Sequence, residues 1–280
     1  MRLALSHIAW DAGEDEEIAR LLRRYQVDAI DIAPGTYFPD PGEASDKDLL
    51  RVRQWWMDRG VEITGMQALL FGAPALNLFG EINVRENMLQ RLASVCRVGA
   101  GVGATRLVFG SPRNRDRTGL SDERVLEVAI PFFSRLGDIA ESFGVTICLE
   151  PNPPRYGANF MTTASATAAV VTQVDHPAIR MQFDTGALTI NEEDPGAVLQ
   201  EHAALVGHVH ASEPDLVPLG DGATQHACMA ESLRRYLPNH VVTIEMVATK
   251  QEPHLASIER AIRVAVSHYR GMSAVLTPSQ

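Results

Sequence analysis

Eight β-rich runs alternate with eight helix-like runs along this chain, and that alternation constrains its fold more than any other feature. The runs are Arg2–Trp10 then Glu14–Tyr25, Val27–Ala33 then Asp46–Arg59, and Val61–Leu69 then Val84–Val98. Thr105–Phe109 precedes a helix entered at Ser121, Val145–Glu150 precedes Thr163–Val174, and Ile179–Asp184 precedes Pro195–Ala204. Leu205–His210 leads to Gln225–Tyr236, and Val241–Glu245 to Pro253–Tyr269. Strands separated by helices in this way pair in parallel through crossovers. Eight such units in about 250 residues match a closed (β/α)8 TIM barrel. A doubly wound open sheet would carry a glycine-rich phosphate turn after its first strand, and none follows Trp10. We expect one α/β domain over residues 1–272 and a short tail over 273–280.

Composition narrows the functional classes. Of 280 residues, 45% are apolar and 21% charged, which is ordinary for a folded domain. The net charge of −10 opposes tracking a nucleic-acid phosphate backbone or binding an anionic membrane. No stretch approaches the roughly 18 apolar residues of a membrane span. Cys96, Cys148 and Cys228 are odd in number and lack CxxC spacing, so neither a disulfide framework nor a zinc knuckle is expected. With no signal-type apolar region at the N-terminus, a cytoplasmic location is expected.

Four late strand-like runs end in a metal-binding type of side chain: VTICLE in Glu150, IRMQFD in Asp184, LVGHVH in His210 and VVTIE in Glu245. Their spacings of 34, 26 and 35 residues are each about one βα unit. Strand C-termini in a barrel converge at its mouth, where active sites lie. Three carboxylates meeting there repel one another, and a cation resolves the conflict. Three oxygen donors and one nitrogen suit Mn²⁺ first, with Mg²⁺ or Co²⁺ as alternatives. A strand that merely reaches solvent often ends on a charge, but that does not produce four such endings on consecutive strands.

These endings, the HVHAS segment and the PLGDG loop resemble the xylose-isomerase-like TIM-barrel superfamily, and within it the ketose 3-epimerases of the tagatose/psicose type. The resemblance implies one divalent ion held by Glu150, Asp184, His210 and Glu245, with Glu150 and Glu245 as the acid/base pair of a sugar isomerase or epimerase. A metal on the carbonyl and neighbouring hydroxyl would stabilise the enediolate formed by proton removal. The same tetrad also resembles keto-inositol dehydratases and the barrel subunit of C-glycoside-cleaving enzymes, which end in elimination. Apurinic-site endonucleases of this fold build a three-metal cluster with further histidines, and Gln67, Phe109 and Ala187 are not such ligands. A non-catalytic sugar-binding barrel would not need Glu150 and Glu245 so close together.

The chain departs from the epimerase pattern at Ala187, where a His is usual, at Tyr156, where a Glu is usual, and in Ser212–Gly222, which lacks the usual Arg. Those positions handle sugar hydroxyls in the relatives, so a modified or keto-oxidised sugar, or a glycoside, becomes the expected substrate. Other expected substrate contacts are Gln67, Asn152, Tyr156, His208, Trp10 and Phe109, all near strand ends. His208 shares a strand face with His210 and reads more readily as a hydrogen-bonded interior residue than as a second ligand. Trp55 and Trp56 read as helix packing or a subunit interface in a homodimer or homotetramer. Arg113, Arg115 and Arg117 read as a solvated basic loop.

Overall fold

The computed structural model describes residues 1–270, so the expected tail over 273–280 lies outside the described residues. Eight parallel strands close into a barrel in chain order: β1 Leu3–Ser6, β2 Ala29–Ile32, β3 Glu62–Met66, β4 Arg106–Phe109, β5 Thr146–Leu149, β6 Ile179–Asp184, β7 Val206–Ser212 and β8 Val242–Glu245. Closure is made by β1 against β8, with Leu3 opposite Val242 and Leu5 opposite Ile244. The eight expected helices form the outer layer, as Asp15–Arg24, Asp46–Met57, Ile82–Val102, Asp122–Ser142, Ala164–Val174, Pro195–His202, His226–Tyr236 and His254–Tyr269.

Local chemistry starts several of these helices. Ser45, Ser121, Thr163 and Asp194 each accept a hydrogen bond from the N–H three residues on, satisfying a donor that the helix itself leaves free. The first strand is shorter than expected because His7–Ala9 turns into a 3-10 helix, with Ser6 capping Ile8. Two short helices, Pro34–Tyr37 and Thr185–Ile190, were not foreseen. The second is nucleated by Asp184, which caps the N–H of Ala187.

Strand side chains alternate between two surroundings. Leu3, Leu5, Ile30, Ile32, Phe109, Leu149, Phe183 and Ile244 belong to the apolar core shared with the helices. The alternate residues carry the polar groups that meet across the barrel interior. Asp31 accepts from His208 at 2.6 Å and from Thr243 at 2.7 Å, all three buried. Gly65 leaves room for this pair, since a Cβ there would lie 2.5 Å from the Asp31 carboxylate. Trp56 is fully buried and donates to the Tyr37 hydroxyl, while Trp55 stacks under the Arg59 guanidinium. The three cysteines are free, with Cys96 and Cys148 buried and Cys228 exposed.

The loop after β7 is tied to the last helices by Glu213, which is fully buried. It accepts from the backbone N–H groups of Gly220 and Thr224, each at 2.9 Å, and pairs with His226 at 3.0 Å. His226 in turn meets the Tyr269 hydroxyl at 2.6 Å. Burial opposes ionisation of Glu213, but the His226 and backbone hydrogen bonds outweigh it and lower its pKa to about 2. A carboxylate whose pKa falls on folding stabilises the native state above its unfolded value near 4.3 and loses that stability as pH falls toward 2. Glu213→Gln is therefore expected to cost about 2–3 kcal/mol at pH 7, with the gap to wild type closing between pH 4 and pH 2. Denaturant unfolding at several pH values measures it, and a pH-independent gap would contradict the clamp.

Candidate active site

The barrel brings all four expected ligands together at its C-terminal mouth. One donor atom from each of Glu150, Asp184, His210 and Glu245 lies within 4.8 Å of all the others. The strand register produces this. Asp184 and His210 are directly opposed on β6 and β7, and Glu245 lies opposite Ser212 on the next pair. Glu150 sits one residue beyond β5. His210 is two residues short of the end of β7, which runs on to Ser212. Its Nδ1 faces Glu245 at 3.2 Å, Glu150 at 3.6 Å and Asp184 at 4.0 Å, while Nε2 is buried without a hydrogen-bond partner.

The charges are mutually dependent. Burial and then the Glu245 and Glu150 carboxylates raise the Asp184 pKa to about 7. Burial opposes protonation of His210, but the surrounding carboxylates, Glu245 foremost, hold its pKa well above the usual imidazole value. Burial likewise opposes ionisation of Glu150, and the His210 ring outweighs it to hold that carboxyl below its ordinary value. The cluster thus holds more acidic groups than its single imidazole can balance, which is the environment a divalent cation neutralises.

Each carboxylate is also held from behind. Ser6 donates to Gln67 at 2.6 Å, and Gln67 donates to Glu245 Oε1 at 2.8 Å. Asn152 donates to Glu150 Oε2 at 2.9 Å. Asp184 accepts from Ser212 Oγ at 2.8 Å and from Ala187 N at 2.6 Å. Gly110 makes room for Glu150, since a Cβ there would lie 2.0 Å from Oε2.

Two cavities meet at this cluster, and Glu150 and Glu245 line both. One, of about 450 Å³, runs over Asn152, Tyr156, Asp184 and Ala187. The other, of about 260 Å³, runs over Gln67, Ala68, Phe71 and Val108. Tyr156 lines the first and accepts from Asp215 N at 2.7 Å, joining the loops after β5 and β7. Arg155 pairs with the Asp215 carboxylate beside it.

Three sequence expectations need correction. Phe109 does not face the mouth: it packs edge-on against Phe133 in the outer layer, because strand alternation turns its neighbour Val108 inward. His208 lies a layer below the cluster on Asp31, so it is part of the barrel interior and lines neither mouth cavity. Arg115 is not solvated: it is 1% exposed, donates to Gly110 O, and leaves two of its nitrogens unpaired. Burial lowers its pKa to about 10 despite attraction to Glu150. Trp10 lies beside the mouth in a separate recess. Ser6, Ser212 and Asp31 were missed. Ser212 was legible in the i, i+2, i+4 spacing of His208, His210 and Ser212, which places all three on one strand face.

Residues 19–268 match a family model described as the xylose isomerase-like TIM barrel. A mannonate dehydratase from Rhizobium meliloti (strain 1021) is 27% identical over 130 residues, covering 43% of this chain. A D-psicose 3-epimerase from Ruminiclostridium cellulolyticum is 27% identical over 119 residues, covering 42% of this chain. The matched stretches span only 32% and 40% of those two proteins. Among solved structures, a D-psicose 3-epimerase in the presence of D-fructose superposes with a TM-score of 0.79 at 17% identity, covering 97% of this chain and all of that one. A 3-keto-D-glucoside 4-epimerase from E. coli gives 0.77 at 18% identity, covering 94% of this chain and 98% of that one. The IOLI protein with a bound zinc atom gives 0.75 at 16% identity, covering 96% and 98%. The family-model match, which takes in most of the chain and every residue of the tetrad, shows that this protein belongs to the xylose isomerase-like TIM barrel family.

Proposed function

We propose that this protein is a divalent-cation-dependent sugar epimerase or isomerase in which Glu150 and Glu245 exchange a proton with the carbon next to a ketone. The observation that carries this reading is that two separately supported glutamates line both cavities meeting at the four-donor cluster. The names of the relatives support the substrate class, a small sugar, and leave the metal and the particular sugar to experiment.

The donor set fits a cation. First-row ions and Mg²⁺ take ligands at about 2.0–2.2 Å, which places opposite donors roughly 4.4 Å apart. The four donors here already lie within 4.8 Å of one another. Glu150, Asp184, His210 and Glu245 would hold the ion, with His210 contributing Nδ1. When bound, a divalent cation would polarise the ketone and acidify the neighbouring C–H.

The protein's own groups then divide the work. Ser212 and Ala187 fix Asp184 from behind, and of the three carboxylates only Glu150 and Glu245 line both cavities. The Ser6–Gln67 chain fixes one oxygen of Glu245, and Asn152 fixes one of Glu150, so each glutamate is oriented before substrate enters. One removes the proton and the other returns it. Return to the opposite face of the same carbon gives an epimer, and return to the adjacent carbon gives an isomer. Gln67 and Asn152 thus act on the glutamates as much as on any sugar hydroxyl.

Metal-stripped protein titrated with Mn²⁺, Mg²⁺, Co²⁺ or Zn²⁺ is expected to bind one ion per chain. At a hundredfold excess over Kd this adds about 2.7 kcal/mol of stability, or roughly 5 °C in Tm. Asp184→Ala should abolish the shift, and absence of a shift with every ion in wild type would sink the metal assignment. Glu245→Gln is expected to keep the fold and lower solvent deuterium incorporation next to the ketone by roughly 10²–10⁴. Unchanged incorporation would exclude Glu245 as acid or base. Gly110→Ala should also cut exchange, because its Cβ overlaps the Glu150 carboxylate. Activity equal to wild type would show that the carboxylate works from another position.

A further inference from the structure

A separate cavity, of about 360 Å³, opens at the other end of the barrel, where the N-terminal ends of β1, β3, β4, β7 and β8 meet. His208 lines it, so the layer that His208 forms with Asp31 and Thr243 stands between this cavity and the four-donor cluster. We infer that this cavity is a binding site for a small oxyanion, a phosphoryl or carboxylate group, with Arg106 as its main contact. It is a second site, remote from the proton exchange at the mouth and independent of it.

The charges lining the cavity do not cancel. Arg2 donates to Glu62 at 2.7 Å and to Asp28 at 2.9 Å, so the acid that lines the cavity is already neutralised. Arg106 lines it too, but its Nε donates to Gly207 O and its Nη1 to Thr105 O, each at 3.1 Å. Among the described residues no carboxylate pairs with Arg106, and its Nη2 makes no hydrogen bond. Arg180 packs against Gly207 in the same wall and likewise donates to a carbonyl, that of Ala204. Although the chain carries a net charge of −10, these two guanidinium groups are left without a counter-charge. Their field is felt at His240 in the same cavity: burial, and after it the charges of Arg106, His208 and Arg180, push its pKa below the ordinary imidazole value despite the Val206 carbonyl. A guanidinium with a free N–H edge matches a carboxylate or phosphoryl group.

Neutral groups without partners gather around this charge. The Thr105 hydroxyl and the Asn239 amide line the cavity and make no hydrogen bond among the described residues. His208 is 5% exposed, and while its Nε2 holds Asp31, its Nδ1 is buried with no partner. Buried polar atoms are rarely left unpaired without a ligand or water to meet them. Tying β4 to β7 through Gly207 uses only the Arg106 Nε, so that structural role leaves Nη2 and these groups unexplained. Space is ample, since a benzene fits a cavity of about 150 Å³.

Equilibrium dialysis of the full chain against radiolabelled inorganic phosphate, and in a second arm radiolabelled acetate, at constant KCl tests the site. Saturable binding of one ion per chain is expected in at least one arm, and the arm that binds tells a phosphoryl from a carboxylate ligand. Each arm is run with Mg²⁺ and with EDTA. Binding seen only with Mg²⁺ would place the ion on a metal at the mouth and overturn the proposal, as would no saturable binding in either arm. Arg106→Gln is expected to weaken binding by roughly 10- to 100-fold, the loss of one charge-assisted hydrogen bond. Thr105→Asp keeps the backbone ties of Arg106 and sets a competing carboxylate on the cavity wall, so it should weaken binding to a similar degree with the fold intact by circular dichroism. Unchanged affinity in Thr105→Asp would put the ion elsewhere and refute the site.

Discussion

Three carboxyl groups, those of Glu150, Asp184 and Glu245, share a few ångströms of buried space with one imidazole, His210. Like charges this close raise one another's pKa, as they do for Asp184, and the repulsion must be opposed by the rest of the molecule. The fold opposes it by fixing each group separately. Gln67 holds Glu245, Asn152 holds Glu150, and Ser212 with Ala187 holds Asp184. Two of the short elements not anticipated from sequence lie on this shell: the 3-10 turn His7–Ala9 is capped by Ser6, which also supports Gln67, and the helix after β6 begins on Asp184.

Below the mouth, the barrel carries a second polar layer with the opposite character. Asp31 is fully paired with His208, Thr243 and Thr64, and Gly65 yields the volume they occupy. Burial opposes ionisation of Asp31, but His208 and His210 keep its pKa below the ordinary value. The pairing of Asp31 gives this layer rigidity, although His208 Nδ1 has no hydrogen-bond partner, while the layer above it gathers three carboxyl groups around one imidazole. Interior polarity is affordable because the outward strand residues and the eight helices supply the apolar core.

The departures from the epimerase pattern acquire a structural meaning at the same mouth. Tyr156, in place of a glutamate, reaches across to the backbone of Asp215, and Arg155 pairs with that residue's carboxylate. The loops after β5 and β7 are therefore joined to each other. Asp215 and Leu216 both adopt left-handed backbone conformations at this junction, which non-glycine residues hold only when neighbouring contacts impose them. The cavity beside them, about 450 Å³, is larger than the one past Phe71, about 260 Å³.

The sequence by itself determined the eight-unit barrel and the placing of Glu150, Asp184, His210 and Glu245 at its mouth. Both follow from short-range periodicity: the order of strands in a closed parallel barrel is their order in the chain, and each of the four residues lies within two residues of a strand end. It did not determine which neighbours those residues recruit. Phe109 and Val108 differ by one residue, and only the observed alternation turned the valine inward. Arg115 looked like part of a solvated loop because the path that buries it depends on contacts as distant in sequence as those of Asn114 with Ala73 and Leu76. The partners of Gln67, at residues 6 and 245, are likewise set by barrel closure. Tertiary structure decided these points because burial and hydrogen-bond pairing depend on distances through space, which local sequence patterns do not encode.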